Sequence, residues 1–115
     1  MPPGAQALRV GVIGAGKHGS RYGRHIQCDV DGLTLTAISR RSEEGRLSAA
    51  QWGCRWFPRW QELIDAPEVD CIVAALPPTL NLAVAQACAR AGKPLLLEKP
   101  MATSVHEATA IGDCF

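Results

Sequence analysis

No apolar run in this chain is long, no charge sign dominates, and no cysteine has a partner at metal-site spacing. Each absence removes a class of protein. The longest apolar stretches, CIVAAL (Cys71 to Leu76) and PLLL (Pro94 to Leu97), fall far short of the roughly 20 residues a membrane span requires. Twelve Lys and Arg against eleven Asp and Glu leave a formal charge of +1, so no basic face calls for nucleic acid or an anionic membrane. The opening MPPGAQA carries neither positive charge nor an apolar core before Leu8, so no secretory signal is expected there; residues 1–7 read as a flexible tail. The five cysteines (Cys28, Cys54, Cys71, Cys88, Cys114) are scattered, with no CxxC. They fit reduced, mostly buried thiols of a cytoplasmic protein, not a disulfide framework or a metal centre. His25 and His106 have no ligand-type neighbours in sequence, so no metal is expected. Aromatics are few. Trp52, Trp56 and Trp60 recur every four residues, but Gly53 and Pro58 interrupt any single helix, and core packing is the expected role. Repeats, low-complexity tracts and linkers are missing too, and 115 residues suffice for one domain.

What is present is an alternation of apolar strands and helical patterns. LRVGVI (Leu8 to Ile13) reads as a strand buried on both faces, followed by a helix over about Lys17 to Gln27. LTLTAIS (Leu33 to Ser39) is β-branched and strand-like. Ser42 is an N-cap candidate for a helix through about Gln51, with Glu43 and Glu44 suited to its dipole. A short strand over Arg55 to Phe57, a helix over Trp60 to Asp65 and a buried strand over Val69 to Leu76 follow. Thr79 is the candidate cap of an alanine-rich helix ending at Ala91, with Gly92 placed for a positive φ. Pro94 to Glu98 reads as the fifth strand, and Ser104 with Glu107 as the capping box of a last helix. Such alternation with short connections predicts an α/β fold: a doubly wound, Rossmann-type parallel sheet.

Gly14-Ala15-Gly16-Lys17-His18-Gly19 fits G-x-G-x-x-G, and it lies between a buried strand and a helix start. Gly14 permits the tight turn, Gly16 lets the backbone approach a pyrophosphate, and Gly19 permits close packing of helix on strand. Amides at the helix start would then hold the phosphates. Lys17 either adds charge there or is simply solvated, and His18 suits packing better than catalysis. At the end of the second strand a protein that prefers NAD usually places an acid on the adenosine ribose. Here stand Ser39-Arg40-Arg41, with no acid before Glu43. A hydroxyl and guanidinium groups suit a 2′-phosphate, so NADP is expected in preference to NAD.

Glu98-Lys99-Pro100 completes a pattern with VIGAGKHG, ALPPTL and AGKPLLLEKPMA. From Leu8 onward the chain closely resembles the N-terminal dinucleotide-binding domain of the glucose–fructose oxidoreductase/inositol dehydrogenase/rhizopine-catabolism (Gfo/Idh/MocA) family. The resemblance implies that Gly14, Gly16 and Gly19 form the phosphate loop and that Ser39 and Arg40 face the ribose. It implies that Leu76, Pro77 and Pro78 line the cofactor, and that Glu98 lies near the nicotinamide ribose. It assigns Lys99 to proton transfer and substrate binding. A lysine beside an oxidised nicotinamide is favoured in its neutral form and can accept the hydroxyl proton as hydride leaves carbon. Asn81 departs from the histidine that many relatives carry at that point.

Relatives continue into a sixth strand and a second domain that supplies most of the substrate pocket; this sequence stops at Phe115. Residues 8–115 are therefore expected to be an NAD(P)-binding Rossmann domain truncated before the substrate domain. The implied activity is hydride transfer between nicotinamide cofactor and a sugar, sugar acid or cyclitol, with little turnover by this chain unless a second domain is supplied. A non-catalytic nucleotide-binding or regulatory module working with another chain is the alternative. An uncovered sheet edge and apolar face lead to an expectation of self-association.

Overall fold

The computed structural model describes residues 8–14, 32–40, 43–76, 78–97 and 105–115. Five strands form one parallel sheet: β1 (Leu8–Ile13), β2 (Leu33–Ser39), β3 (Arg55–Phe57), β4 (Cys71–Ala74) and β5 (Leu95–Leu97). Their order is β3-β2-β1-β4-β5. Successive strands step outward from β1 to β3, then the chain returns to the other side of β1 for β4 and β5. That reversal between β1 and β4 is the topological switch point at which open α/β sheets form their ligand crevice.

The two faces of the sheet are separate cores. On one, Ile13, Ala37, Ile72 and Ala74 meet Leu63 and Ile64 of α2 (Trp60–Asp65) and Val84 and Cys88 of α3 (Asn81–Ala91). On the other, Val10, Val12, Leu35 and Ile38 pack with Ala49 of α1 (Glu43–Trp52). Burial on both faces explains why β1 reads as a continuous apolar run, with Val10, Val12 and Ile13 all 2% exposed or less. The last helix, α4 (Val105–Asp113), rests on α3. No helix among the described residues is long and apolar enough to cross a membrane.

The tryptophans fall on three elements: Trp52 ends α1, Trp56 lies in β3 and Trp60 begins α2. Trp52 and Trp56 pack on one core and Trp60 on the other. Cys54, Cys71, Cys88 and Cys114 are free thiols, and burial pushes Cys54 and Cys88 up to about 11. Cys28 lies outside the described residues, as do the expected helix over Lys17 to Gln27 and the caps Ser42 and Ser104.

At the amino end of the central strand β1, Arg9 clamps Asp70. Arg9 Nε and Nη2 donate to the two carboxylate oxygens at 3.0 and 2.9 Å, and its amide donates to Oδ2 at 2.9 Å. These bonds hold the Asp70 carboxyl down at about 2. Lys93, not singled out in sequence, closes the end of α2: its Nζ donates to the carbonyls of Ile64 and Ala66 at 2.5 and 2.8 Å.

Three expected boundaries differ, those of β4, β5 and α3; β5 covers Leu95–Leu97 and Pro94 precedes it, having no amide hydrogen to give the ladder. Strand β4 covers only Cys71–Ala74, the four residues that pair with Val10 to Ile13 of β1, and β5 pairs with the last three of them. Thr79 does not cap α3: a 3₁₀ turn over Pro78–Leu80 precedes the helix, and Leu80 takes the cap position without a side-chain bond. Register also shifts between Val10 and Gly11, whose partners are Leu35 and Ala37, leaving Thr36 as an extra residue in β2. Thr36 Oγ1 donates to the carbonyls of Val10 and Glu68 at 3.4 and 2.9 Å, which ties the irregularity to the loop before β4.

Candidate functional site

The carboxyl ends of β1, β2 and β4 lie side by side, and the chain at Gly14 is shaped by both neighbours. Its amide donates to the Ser39 carbonyl at 2.9 Å, while the Ala75 amide donates to the Ile13 carbonyl at 2.9 Å. Gly14 has φ +80°, and a Cβ there would stand 2.5 Å from the Ala75 oxygen and 3.0 Å from Leu76 Cδ2. Only glycine fits: the turn needs the left-handed region and the neighbouring backbone fills the side-chain position.

Beyond these strand ends opens a cleft of about 680 Å³, lined by Ile13, Gly14, Ser39, Arg40, Ala75 and Leu76 on the sheet side. Pro58, Arg59, Trp60, Gln61 and Leu80 complete it. Its volume is within the few hundred to about 1,000 Å³ typical of small-molecule and cofactor sites.

Arg40 is set from behind. Trp56 Nε1 donates to the Arg40 carbonyl at 2.9 Å. Gly45, at the start of α1, lets both residues approach, since a Cβ on it would be 2.7 Å from Arg40 Cβ and 2.9 Å from Trp56 Nε1. The Arg40 guanidinium then meets the Glu44 carboxylate one turn later, Nη2 to Oε2 at 2.7 Å. Glu43 turns to Arg46 instead. Ser39 is buried at 4% exposure, and its carbonyl receives the Gly14 amide.

Gly14, Ser39, Arg40 and Leu76 line this one cleft. Pro78 opens the 3₁₀ turn whose last residue, Leu80, lines the same cleft. Ala15, Gly16, Lys17, His18, Gly19, Arg41, Pro77, Glu98 and Lys99 lie outside the described residues. Asn81 is buried at the start of α3. Arg59, Trp60 and Gln61 were missed in the sequence. The β3-to-α2 turn carries them to the cleft, and no local motif marks them, although the short strand and Pro58 place a turn there. Among the described residues no cluster of His, Cys, Asp or Glu is arranged to hold a metal ion.

A tight glycine turn at the switch point of a parallel sheet is the arrangement of dinucleotide-binding α/β domains. The chain belongs to the Gfo/Idh/MocA family, described as an oxidoreductase family with an NAD-binding Rossmann fold, whose profile matches residues 8–115. It is 38% identical over 100 residues to inositol 2-dehydrogenase 2 of Saccharopolyspora erythraea, covering 84% of this chain and 29% of the relative. The fold matches the crystal structure of a probable dehydrogenase from Thermotoga maritima with a TM-score of 0.88 at 28% identity, over 93% of this chain and 32% of that one. It also matches biliverdin reductase from Synechocystis, solved with biliverdin and NADP+, with a TM-score of 0.84 at 30% identity, over 93% of this chain and 34% of that one. The chain therefore spans about a third of the length of the proteins it matches.

Proposed function

We propose that this chain is the cofactor-holding part of an oxidoreductase that transfers hydride between a nicotinamide dinucleotide and a polyhydroxylated substrate, with NADP preferred over NAD. The observation that carries this reading is the convergence of Gly14, Ser39 and Arg40 on one cleft at the switch point of the sheet. The residues fit the group. At Gly14 the left-handed turn and the Ala75 carbonyl beside it exclude any side chain, which keeps the turn tight at the mouth of the cleft. Arg40 presents a guanidinium at the end of β2, where the adenosine ribose of a bound dinucleotide lies in this fold class. A guanidinium offers several fixed donors to a 2′-phosphate. The bound nicotinamide would supply the hydride acceptor or donor. Gly16 and Gly19 would hold the pyrophosphate, and Arg41 would add charge beside Arg40. Leu76, Pro77 and Pro78 would line the nicotinamide side, with Glu98 at its ribose. Lys99 would take the hydroxyl proton as the alcohol is oxidised and return it in reduction.

The substrate class rests on the relative from S. erythraea, an inositol 2-dehydrogenase, and on the chemistry of a lysine acting on a hydroxyl. Orientation of a reactant can supply roughly 7–11 kcal/mol of a barrier. A chain covering 29% of that relative is therefore expected to bind cofactor but turn over a cyclitol weakly or not at all.

Calorimetric titration with NADPH and NADH tests the reading. Tighter binding of NADPH, weakened selectively by Arg40→Ala, is expected. Binding of neither nucleotide, or an Arg40→Ala variant that keeps its NADPH affinity, would refute it.

A further inference from the structure

Arg40 does not wait in the cleft as a bare cation. Its guanidinium already meets Glu44, 2.7 Å away in an i,i+4 pair. The two partners are unequal. Arg40 is held by the Trp56 bond to its carbonyl and by the close approach of α1 at Gly45, and its side chain is 32% exposed. Glu44 is 70% exposed and sits in the first turn of α1, so its carboxylate can swing without disturbing a core.

We propose that Glu44 sets the balance between the two nicotinamide dinucleotides by competing with the 2′-phosphate for Arg40. This inference rests on the reading of the cleft given under Proposed function. A phosphate monoester carries about −1.5 to −2 charges near neutral pH with three acceptor oxygens, against one charge and two oxygens on the carboxylate. NADPH therefore displaces Glu44 from Arg40, but it loses the pair and meets a like charge nearby. NADH instead brings a 2′-hydroxyl, a donor that the same carboxylate can accept, as acids at the end of this strand do in NAD-preferring proteins. One side chain thus handicaps NADPH and assists NADH, which narrows the preference that Arg40 establishes. Glu43, turned to Arg46, has no part in it.

Exposed ion pairs contribute about 0.2–1 kcal/mol, which converts to roughly 1.4- to 5-fold in affinity. The test is calorimetric titration of the full chain with NADPH and with NADH, in Glu44→Gln, Glu44→Asp, Glu43→Gln, Arg40→Ala and the Glu44→Gln/Arg40→Ala double variant. Glu44→Gln is expected to tighten NADPH about 1.4- to 5-fold while leaving NADH unchanged or weaker. Glu44→Asp should keep the original ratio, and Glu43→Gln should change neither nucleotide. In the Arg40→Ala background the gain from Glu44→Gln should vanish, because the effect passes through the guanidinium. An unchanged NADPH-to-NADH ratio in Glu44→Gln, with Arg40→Ala still weakening NADPH, overturns the role of Glu44 alone. An equal gain from Glu43→Gln reduces the effect to general surface charge and overturns it as well. Binding of neither nucleotide by the unsubstituted chain overturns the reading of the cleft, and this inference falls with it.

Discussion

Replacing Gly14 with alanine should cost far more than the same change at Gly92, although both residues have positive φ, +80° and +70°. At Gly92, which ends α3, nothing lies within 4 Å of the position a Cβ would take. The Gly92→Ala penalty is then the left-handed backbone alone, about 1–2 kcal/mol. At Gly14 the Cβ would stand 2.5 Å from the Ala75 oxygen. Neither side can retreat easily, because Gly14 is bonded to Ser39 and Ala75 to Ile13 across the sheet. Forced overpacking of this kind adds about 1–3 kcal/mol, for a Gly14→Ala total of roughly 2–5 kcal/mol. At about 2.1 cal/mol/K of unfolding entropy per residue, each kcal/mol lowers the Tm of a domain this size by about 4 °C. Scanning calorimetry should therefore show losses of about 4–8 °C for Gly92→Ala and about 8–20 °C for Gly14→Ala. Equal losses, or a Gly14→Ala loss under about 4 °C, would refute the claim that backbone fills that space.

Other consequences can be checked on the same protein. Lys93→Met removes two charged hydrogen bonds from the end of α2. Because Lys93 is partly solvated, the expected cost is the low end for such bonds, about 1–2 kcal/mol, or about 4–8 °C in Tm. The Asp70 carboxyl titrates at about 2 in the folded chain against 3.8 ordinarily. Its native pKa is depressed, so its contribution to stability is present above about pH 4 and fades as pH falls from there through about 2. Asp70→Asn should flatten the fall of Tm over that window, and an unchanged slope would count against the Arg9 clamp. Cys54 and Cys88, both pushed up to about 11 by burial, should resist alkylation at pH 8 until the chain is unfolded. Mass mapping of labelled cysteines reads this directly, and rapid native labelling of Cys88 would contradict its burial.

Strand and helix order was legible because burial on both faces writes itself as unbroken apolar runs. LRVGVI and the core of VDCIVAAL both became central parallel strands. Gly92 was legible for a different reason: a helix end with φ +70° has few other tenants. What sequence could not show depends on partners distant along the chain. The end of β4 is set by where its ladders with β1 and β5 both stop, at Ala74, and the extra residue at Thr36 answers a carbonyl at Glu68. Lys93 is an ordinary surface lysine until α2 ends beneath it. In the cleft, the glycine turn and the serine–arginine pair carry local signatures. The other wall, Arg59 to Gln61, joins them only through the fold, and the Arg40–Glu44 pair appears only once α1 begins at Glu43.

The proposed nicotinamide dinucleotide would lie across the carboxyl ends of β1, β2 and β4, where an NMR titration of the ¹⁵N-labelled chain with NADPH would locate it. The amides of Gly14, Arg40 and Leu76 should shift most, while Arg9, Asp70 and Gly92, away from that cleft, should stay in place. Saturable shifts centred on Arg9 and Asp70, or none anywhere, would contradict it.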